Sequence, residues 1–176
     1  MKNRFVFEYT RLFTKYNQGG YTGFTLIELL VTIIIISILS AIALPSFLNQ
    51  AAKARASEAR VNIGSLNRAQ QTYYLENQQF AQDDGTSTAI EKLGIGIKDD
   101  TANYSYLVVT TDPTIKIISK ATAKNNDLKG SAGGVFSSAG LTNSIMCEAD
   151  ASGITEVNEP TSLTNCGSGS HNVPLQ

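Results

Sequence analysis

The sequence predicts an α+β fold: a long N-terminal helix, apolar in its first half, packed on a three- to four-stranded antiparallel sheet, with a C-terminal loop that a disulfide closes if this part of the chain is exported. Three observations predict it. Leu29 to Ala52 holds 24 positions without a charged residue. A helical stripe of small and apolar residues continues beyond that run. β-branched and aromatic segments separated by turn residues then fill the second half of the chain.

The apolar run exceeds the ~20 residues that a helix needs to cross a bilayer. Its hydroxyls, Thr32, Ser37 and Ser40, can bond to carbonyls of their own helix. The densest part ends at Leu44, and Pro45 follows, a residue that removes a donor and crowds the preceding turn. The helical pattern continues past it: Leu48, Ala52, Ala56, Ala59, Ile63, Leu66, Ala69 and Tyr73 recur at steps of three and four. Lys53, Arg55, Glu58, Arg60, Arg68 and Glu76 fall on the other faces. This predicts one helix from about Thr25 to about Glu76, roughly 75 Å at 1.5 Å per residue, with Gly64 a weak point in it. The alanine-rich stripe suits both close helix approach and packing on a sheet.

Asp83-Asp84-Gly85-Thr86 ends the helix. Thr88 and Glu91 have capping-box spacing and open a short helix that stops near Gly94. Residues 94–103 read as loop. Tyr104–Thr111 and Ile115–Thr122 read as strands and pair as a hairpin across Asp112-Pro113. Gly134–Ser137 and Ser144–Glu148 are weaker strands. Residues 149–176 read as irregular.

Charge divides the chain. Lys2, Arg4, Arg11 and Lys15 against Glu8 give residues 1–23 a net charge of +3, and the remainder carries −4. A basic head before an apolar run is an orientation signal that keeps the N-terminus cytoplasmic. The acidic remainder has no footprint for general nucleic-acid binding. Lys116, Lys120, Lys124 and Lys129 are the candidate contacts should DNA be one, although lysines that blunt a sheet edge explain them more simply. Two cysteines and one histidine fall short of a usual structural zinc site. If the C-terminal part is exported, Cys147 and Cys166 form a disulfide. It would close a loop of about 20 residues, worth roughly 3 kcal/mol.

Glu28 stands at the start of the apolar run and needs a reason. A cleaved secretory signal fits Ala41-Ile-Ala43, yet it would leave a 28-residue head and cut the helical pattern in two. An uncleaved membrane anchor fits length and orientation but leaves Glu28 unexplained, at about 2.5–3.5 kcal/mol if it lies inside the span. Gly23-Phe24-Thr25-Leu26-Ile27-Glu28 resembles the prepilin peptidase site of type IV pilins and type II secretion pseudopilins. The resemblance extends through Pro45, at the family's usual proline position, and more loosely through the half-helix, the hairpin and the cysteine loop. The leader is longer and less polar than is usual there.

That resemblance implies a type IV pilin-like fold in four parts: a leader peptide (1–23), a transmembrane and filament-core helix (24–48), the soluble half of the long helix (49–80) and a globular β domain with the cysteine loop (81–176). It implies cleavage between Gly23 and Phe24, N-methylation of Phe24, and assembly through Glu28 and Pro45. The Glu28 carboxylate would pair with the Phe24 ammonium of a neighbouring subunit. Pro45 would let the helix bend or unwind, or simply mark its exit from the membrane. The implied partners are other pilin subunits, the prepilin peptidase, an inner-membrane assembly platform and, before assembly, membrane lipid. The implied location is the inner membrane and then an extracellular pilus or periplasmic pseudopilus.

The residues offer no catalytic constellation, cofactor motif or metal site. His171 falls in the tail, where it reads as solvated. Asp83, Asp84, Asp99 and Asp100 fall in loops; a weak Ca²⁺ site is conceivable there, and solvated turns are the simpler reading. Tyr73, Tyr74, Tyr104 and Tyr106 read as core or subunit contacts.

Overall fold

The computed structural model describes residues 23–154 and 157–173. The segment expected to be a leader, apart from Gly23, lies outside the described residues. The chain divides after Ser46 into two units.

In the first unit, α1 (Leu26–Asn77) begins. Its N-terminus is closed by a capping box. Thr25 Oγ1 accepts from the Glu28 amide at 3.2 Å, and Glu28 Oε2 accepts from the Thr25 amide at 2.9 Å and hydroxyl at 2.7 Å. Two orphan donors of the first turn are thereby satisfied. As expected, Thr32 and Ser37 donate back to the Leu29 and Ile33 carbonyls. The helix stays unbroken through Pro45. Every side chain of this unit's helix is exposed.

The second unit starts at Phe47. Here α1 buries Ala59, Ile63, Gly64, Leu66, Asn67, Gln70 and Tyr74. The core face therefore turns from the expected Ala69 and Tyr73 to Gln70 and Tyr74. Gln70 is the reason: its side chain donates to the Ala81 carbonyl at 2.9 Å and accepts from the Ala81 amide at 2.8 Å. A buried amide that pairs fully with buried backbone is tolerated where an unpaired one is not. Gly64 is a contact point, since a Cβ there would lie 3.4 Å from Met146 Cε. The short helix α2 (Ala89–Leu93) has the expected Thr88–Glu91 capping box and a left-handed Gly94.

Among the described residues five strands follow, one more than the largest number expected: β1 (Tyr104–Val109), β2 (Lys116–Ala123), β3 (Ser131–Ser138), β4 (Leu141–Ala149) and β5 (Ser170–Val173). They form one antiparallel meander in chain order. The β3–β4 turn is the two-residue Ala139-Gly140, both with positive φ, as a twist-matched hairpin turn requires. One sheet face carries Ile117, Ala121, Val135 and Met146 toward Ile63, Leu66 and Tyr74 of α1. On the other face Ile145, Cys147 and Cys166 cluster with Phe136. Residues of the segment 157–166 cover part of that face. A Cβ on Gly134 would meet Pro160, and Glu159 pairs with Lys120 at 2.7 Å.

Three expectations are corrected. Residues 149–176 are not wholly irregular: Ser170–Val173 pairs with Met146–Ala149. His171 is accordingly a strand residue, half-exposed, bonded through Nδ1 to Asp150 at 2.7 Å. The lysines do not blunt an edge either. Lys116 and Lys120 lie on β2, an interior strand. Lys120 is buried and paired with Glu159, and Lys124 pairs with Asp100 at 2.6 Å. A lysine can occupy an interior strand when its long stem carries the ammonium to a carboxylate.

Candidate functional site

The residues that the sequence singles out fall into two groups. Gly23, Phe24, Glu28 and Pro45 lie on or beside the apolar half of α1. Cys147 and Cys166 meet in the globular unit as a disulfide, with Cα atoms 5.6 Å apart.

The backbone at the first group is open. A Cβ on Gly23 would meet nothing within 4 Å. Phe24 is 75% exposed, and α1 begins two residues later, so the bond between Gly23 and Phe24 lies outside regular structure. From Leu26 to Leu48 the helix offers Leu, Ile, Val and Phe side chains to its surroundings, each about half exposed or more. Lone exposed apolar residues are ordinary, but a contiguous apolar surface of this length marks a membrane or protein contact. α1 is long and apolar enough to cross a membrane. Apart from the Ala41 carbonyl opposite Pro45, which has no N–H to give, the backbone groups of such a helix are satisfied internally except at its ends, and Thr25 and Glu28 close the N-terminal end. Thr25 has this role without having been assigned one from the sequence. The signal was present as Thr-x-x-Glu, the same spacing read correctly at Thr88 and Glu91.

The globular unit is tied together by polar contacts that the sequence did not reveal. Buried Glu148 receives Arg60. Glu58 accepts from Thr101 Oγ1 at 2.6 Å and Asn103 Nδ2 at 2.7 Å, fixing the loop before β1 to α1. Asn62 donates to the Tyr106 hydroxyl at 2.8 Å. Burial pushes the Tyr104 and Tyr106 hydroxyls up to about 12.

Three of the loop acids, Asp83, Asp84 and Asp100, are engaged locally. Asp83 accepts from the Ala89 amide and Asp100 pairs with Lys124. The Ser87 amide, then Lys92 and the Thr86 amide, hold the Asp84 carboxyl well below the usual carboxylate range. Tyr74, Tyr104 and Tyr106 are core residues, whereas Tyr73 is half-buried.

Comparison with known proteins agrees with this division. Residues 17–44 match the prokaryotic N-terminal methylation motif, and residues 56–170 match the family of type IV pilin-like G and H proteins. Among curated relatives, the type IV major pilin PilE1 of Neisseria gonorrhoeae is 32% identical over 61% of this chain and 63% of its own. The type IV major pilin PilA of Myxococcus xanthus is 42% identical over 34% of this chain and 27% of its own. The type II secretion system core protein G of Pectobacterium carotovorum is 36% identical over 37% of this chain and 43% of its own. The chain spans between 27% and 63% of the length of the curated relatives it matches. No solved structure gives a significant match. The second of the two matched regions covers more than half of the chain, and with its long apolar helix, antiparallel meander and C-terminal disulfide this protein belongs to the type IV pilin-like family, whose members are structural subunits.

Proposed function

We propose that the chain is a prepilin: a structural subunit of a type IV pilus, cut between Gly23 and Phe24, N-methylated on Phe24 and polymerised through the apolar half of α1. The supporting observation is the exposed apolar surface from Leu26 to Leu48 behind a matched methylation motif. In this reading residues 1–23 are the leader and 24–48 the membrane and filament-core segment. Residues 49–80 are the soluble half-helix and 81–176 the globular domain.

Before assembly, lipid surrounds the apolar helix; afterwards, neighbouring subunits replace it. Both Phe24 and Glu28 leave water on that path. An unpaired charge is costly there, and pairing of the Glu28 carboxylate with a neighbour's Phe24 ammonium removes much of that cost and sets register. Pro45 leaves the Ala41 carbonyl without a helical donor, which makes the helix easiest to bend or unwind at that point. The prepilin peptidase and an inner-membrane assembly platform are the partners this route requires. Its end point is an extracellular pilus.

Mass spectrometry of the mature N-terminus tests the reading. The expected product begins at methylated Phe24; a chain that begins at Leu44, or one that keeps its leader, would refute it. A second reading, a pseudopilin of a type II secretion system in the periplasm, is favoured by the match to the G and H family and by the core protein G relative. A deletion strain separates the two: loss of surface filaments supports the pilus, and loss of secretion with filaments intact supports the pseudopilus.

A further inference from the structure

A pocket of about 580 Å³ opens in the globular unit, walled by Asn49, Ala52, Lys53, Ala56 and Arg60 of α1 and by Asp127, Lys129, Glu148 and Ser152 of the β region. Nothing in the proposed subunit role uses it. Its size is within the range of small-molecule sites, and its charges do not cancel. Asp127 is already bound by Arg55 at 2.6 Å, and buried Glu148 is bound by Arg60. Lys53 and Lys129 have no acidic partner among the described residues. Once the two ion pairs are set aside, two lysines remain in the lining, Lys53 from α1 and Lys129 from the β region. The pairs also fix those walls: Arg55 and Arg60 tie α1 to Asp127 and Glu148.

The height of the pocket along α1 suggests what fills it. Phe47 and Leu48 are the last large apolar residues of the run, and both are exposed. At 1.5 Å per residue, Lys53 lies about 7.5 Å beyond Leu48 along the helix. The polar layer on one side of a bilayer is about 5–7 Å deep. When Leu48 sits at the hydrocarbon boundary, Lys53 stands at the level of the lipid phosphates. A lysine ammonium is a compact point charge suited to phosphate. We propose that this pocket binds the phosphodiester of an anionic phospholipid headgroup in the membrane-inserted subunit, with Lys53 and Lys129 as the phosphate ligands and the Asn49 and Ser152 side chains at its polar rim. The site rests on the membrane-inserted form proposed above. It gives the globular unit its own attachment to the bilayer surface, one that assembly must release.

The test uses the full-length chain in neutral detergent, titrated with phosphatidylglycerol and followed by native mass spectrometry. The wild type is expected to retain one phosphatidylglycerol. Lys53→Gln and Lys129→Gln should each weaken retention about fivefold, and the double variant about 25-fold. Lys98→Gln, an exposed lysine outside the pocket, should leave it unchanged. Glycerol 3-phosphate and inorganic phosphate are titrated separately. Competition only by the lipid assigns the site to a headgroup anchored by its acyl chains, whereas binding of the free phosphates with equal strength would overturn the lipid assignment. A double variant that retains phosphatidylglycerol like the wild type would overturn the site. Folding is checked by the near-ultraviolet signal of the buried tyrosines. Carbonate extraction of membranes is run in parallel. Wild-type chain that extracts as a peripheral protein would refute the membrane-inserted form, a result distinct from failure of the pocket.

Discussion

Replacing Gly133 by alanine sets two effects of opposite sign against each other. In a strand, alanine normally improves on glycine, by about 0.5–1 kcal/mol, because glycine loses more backbone freedom on folding. At Gly133 a Cβ would stand 2.4 Å from Asn67 Oδ1 and 2.6 Å from Ile63 Cγ2. Both lie about 1 Å or more inside ordinary contact. Ile63 and Asn67 are 0% and 1% exposed, so neither can swing into solvent. Overpacking of this kind costs about 1–3 kcal/mol. Displacing Asn67 also strains its bond to the Ile145 carbonyl at 3.2 Å, at about 1 kcal/mol. The clash wins, and Gly133→Ala should destabilise the domain by about 2 kcal/mol. Urea unfolding of the full chain in detergent, followed through the buried tyrosines, measures it. Gly134→Ala provides the contrast. Its neighbours are the edge of the half-buried Phe136 ring at 2.8 Å, Pro160 Cβ at 3.2 Å and Ile118 Cδ1 at 3.3 Å, all farther than those at Gly133, so the loss should be smaller, about 1 kcal/mol. Ile63→Ala removes one clashing atom, and the Ile63→Ala, Gly133→Ala pair should fall short of additivity by about 1 kcal/mol. A Gly133→Ala chain as stable as its parent would refute the packing of α1 on β3.

Gln70→Ala should cost about 2–4 kcal/mol by the same unfolding assay, since it strands a buried amide and a buried carbonyl at Ala81. Replacing Cys147 and Cys166 by serine opens a loop with a sequence separation of 19. It should cost about 3 kcal/mol and speed amide hydrogen exchange across Ser170–Val173. Burial raises Tyr104 and Tyr106 to about 12, against about 10 for an unfolded chain. Between those values the folded state holds the extra protons. The stability they confer is complete below about pH 10 and falls as pH rises toward 12, which unfolding measured across alkaline pH will show.

How much of this was legible in the sequence depends on whether local pattern or long-range contact sets each element. The helix, the β1–β2 hairpin and the Thr88–Glu91 cap are local and were read within a residue or two. The core face of α1 was misread at its end because Gln70 is polar. Only its reach to Ala81, eleven residues away, makes it a core residue. β5 has little strand propensity in Ser-His-Asn-Val; it pairs with β4 close to where Cys147 and Cys166 join that strand to the tail. The interior place of β2 was hidden for a similar reason. Lys120 looks like an edge residue until Glu159, brought over the sheet by the 157–166 segment, meets it. In the assembly segment, Glu28 and Gly23 were visible as a motif, while the contribution of Thr25 was visible only as a spacing.

The capping box changes the argument about Glu28. Read from sequence, the carboxylate has one reason to exist, a neighbour's ammonium. In the structure it already has work inside its own chain, because Oε2 takes both Thr25 donors and stands at the positive end of the helix dipole. Cutting between Gly23 and Phe24 leaves the Thr25 amide intact, so the box survives processing. Oε1 has no hydrogen bond among the described residues, which leaves one oxygen for the helix end and one for a neighbour. Glutamine and valine separate the two roles. Glutamine at this position of a capping box still accepts from the amide but carries no charge; valine does neither. If charge pairing drives assembly, Glu28→Gln should lose filaments as completely as Glu28→Val, although its helix end stays closed. If capping is what matters, Glu28→Gln should assemble and Glu28→Val should not. Filament yield by electron microscopy from strains that express each variant distinguishes the two, and normal filaments from Glu28→Gln would end the case for the salt bridge.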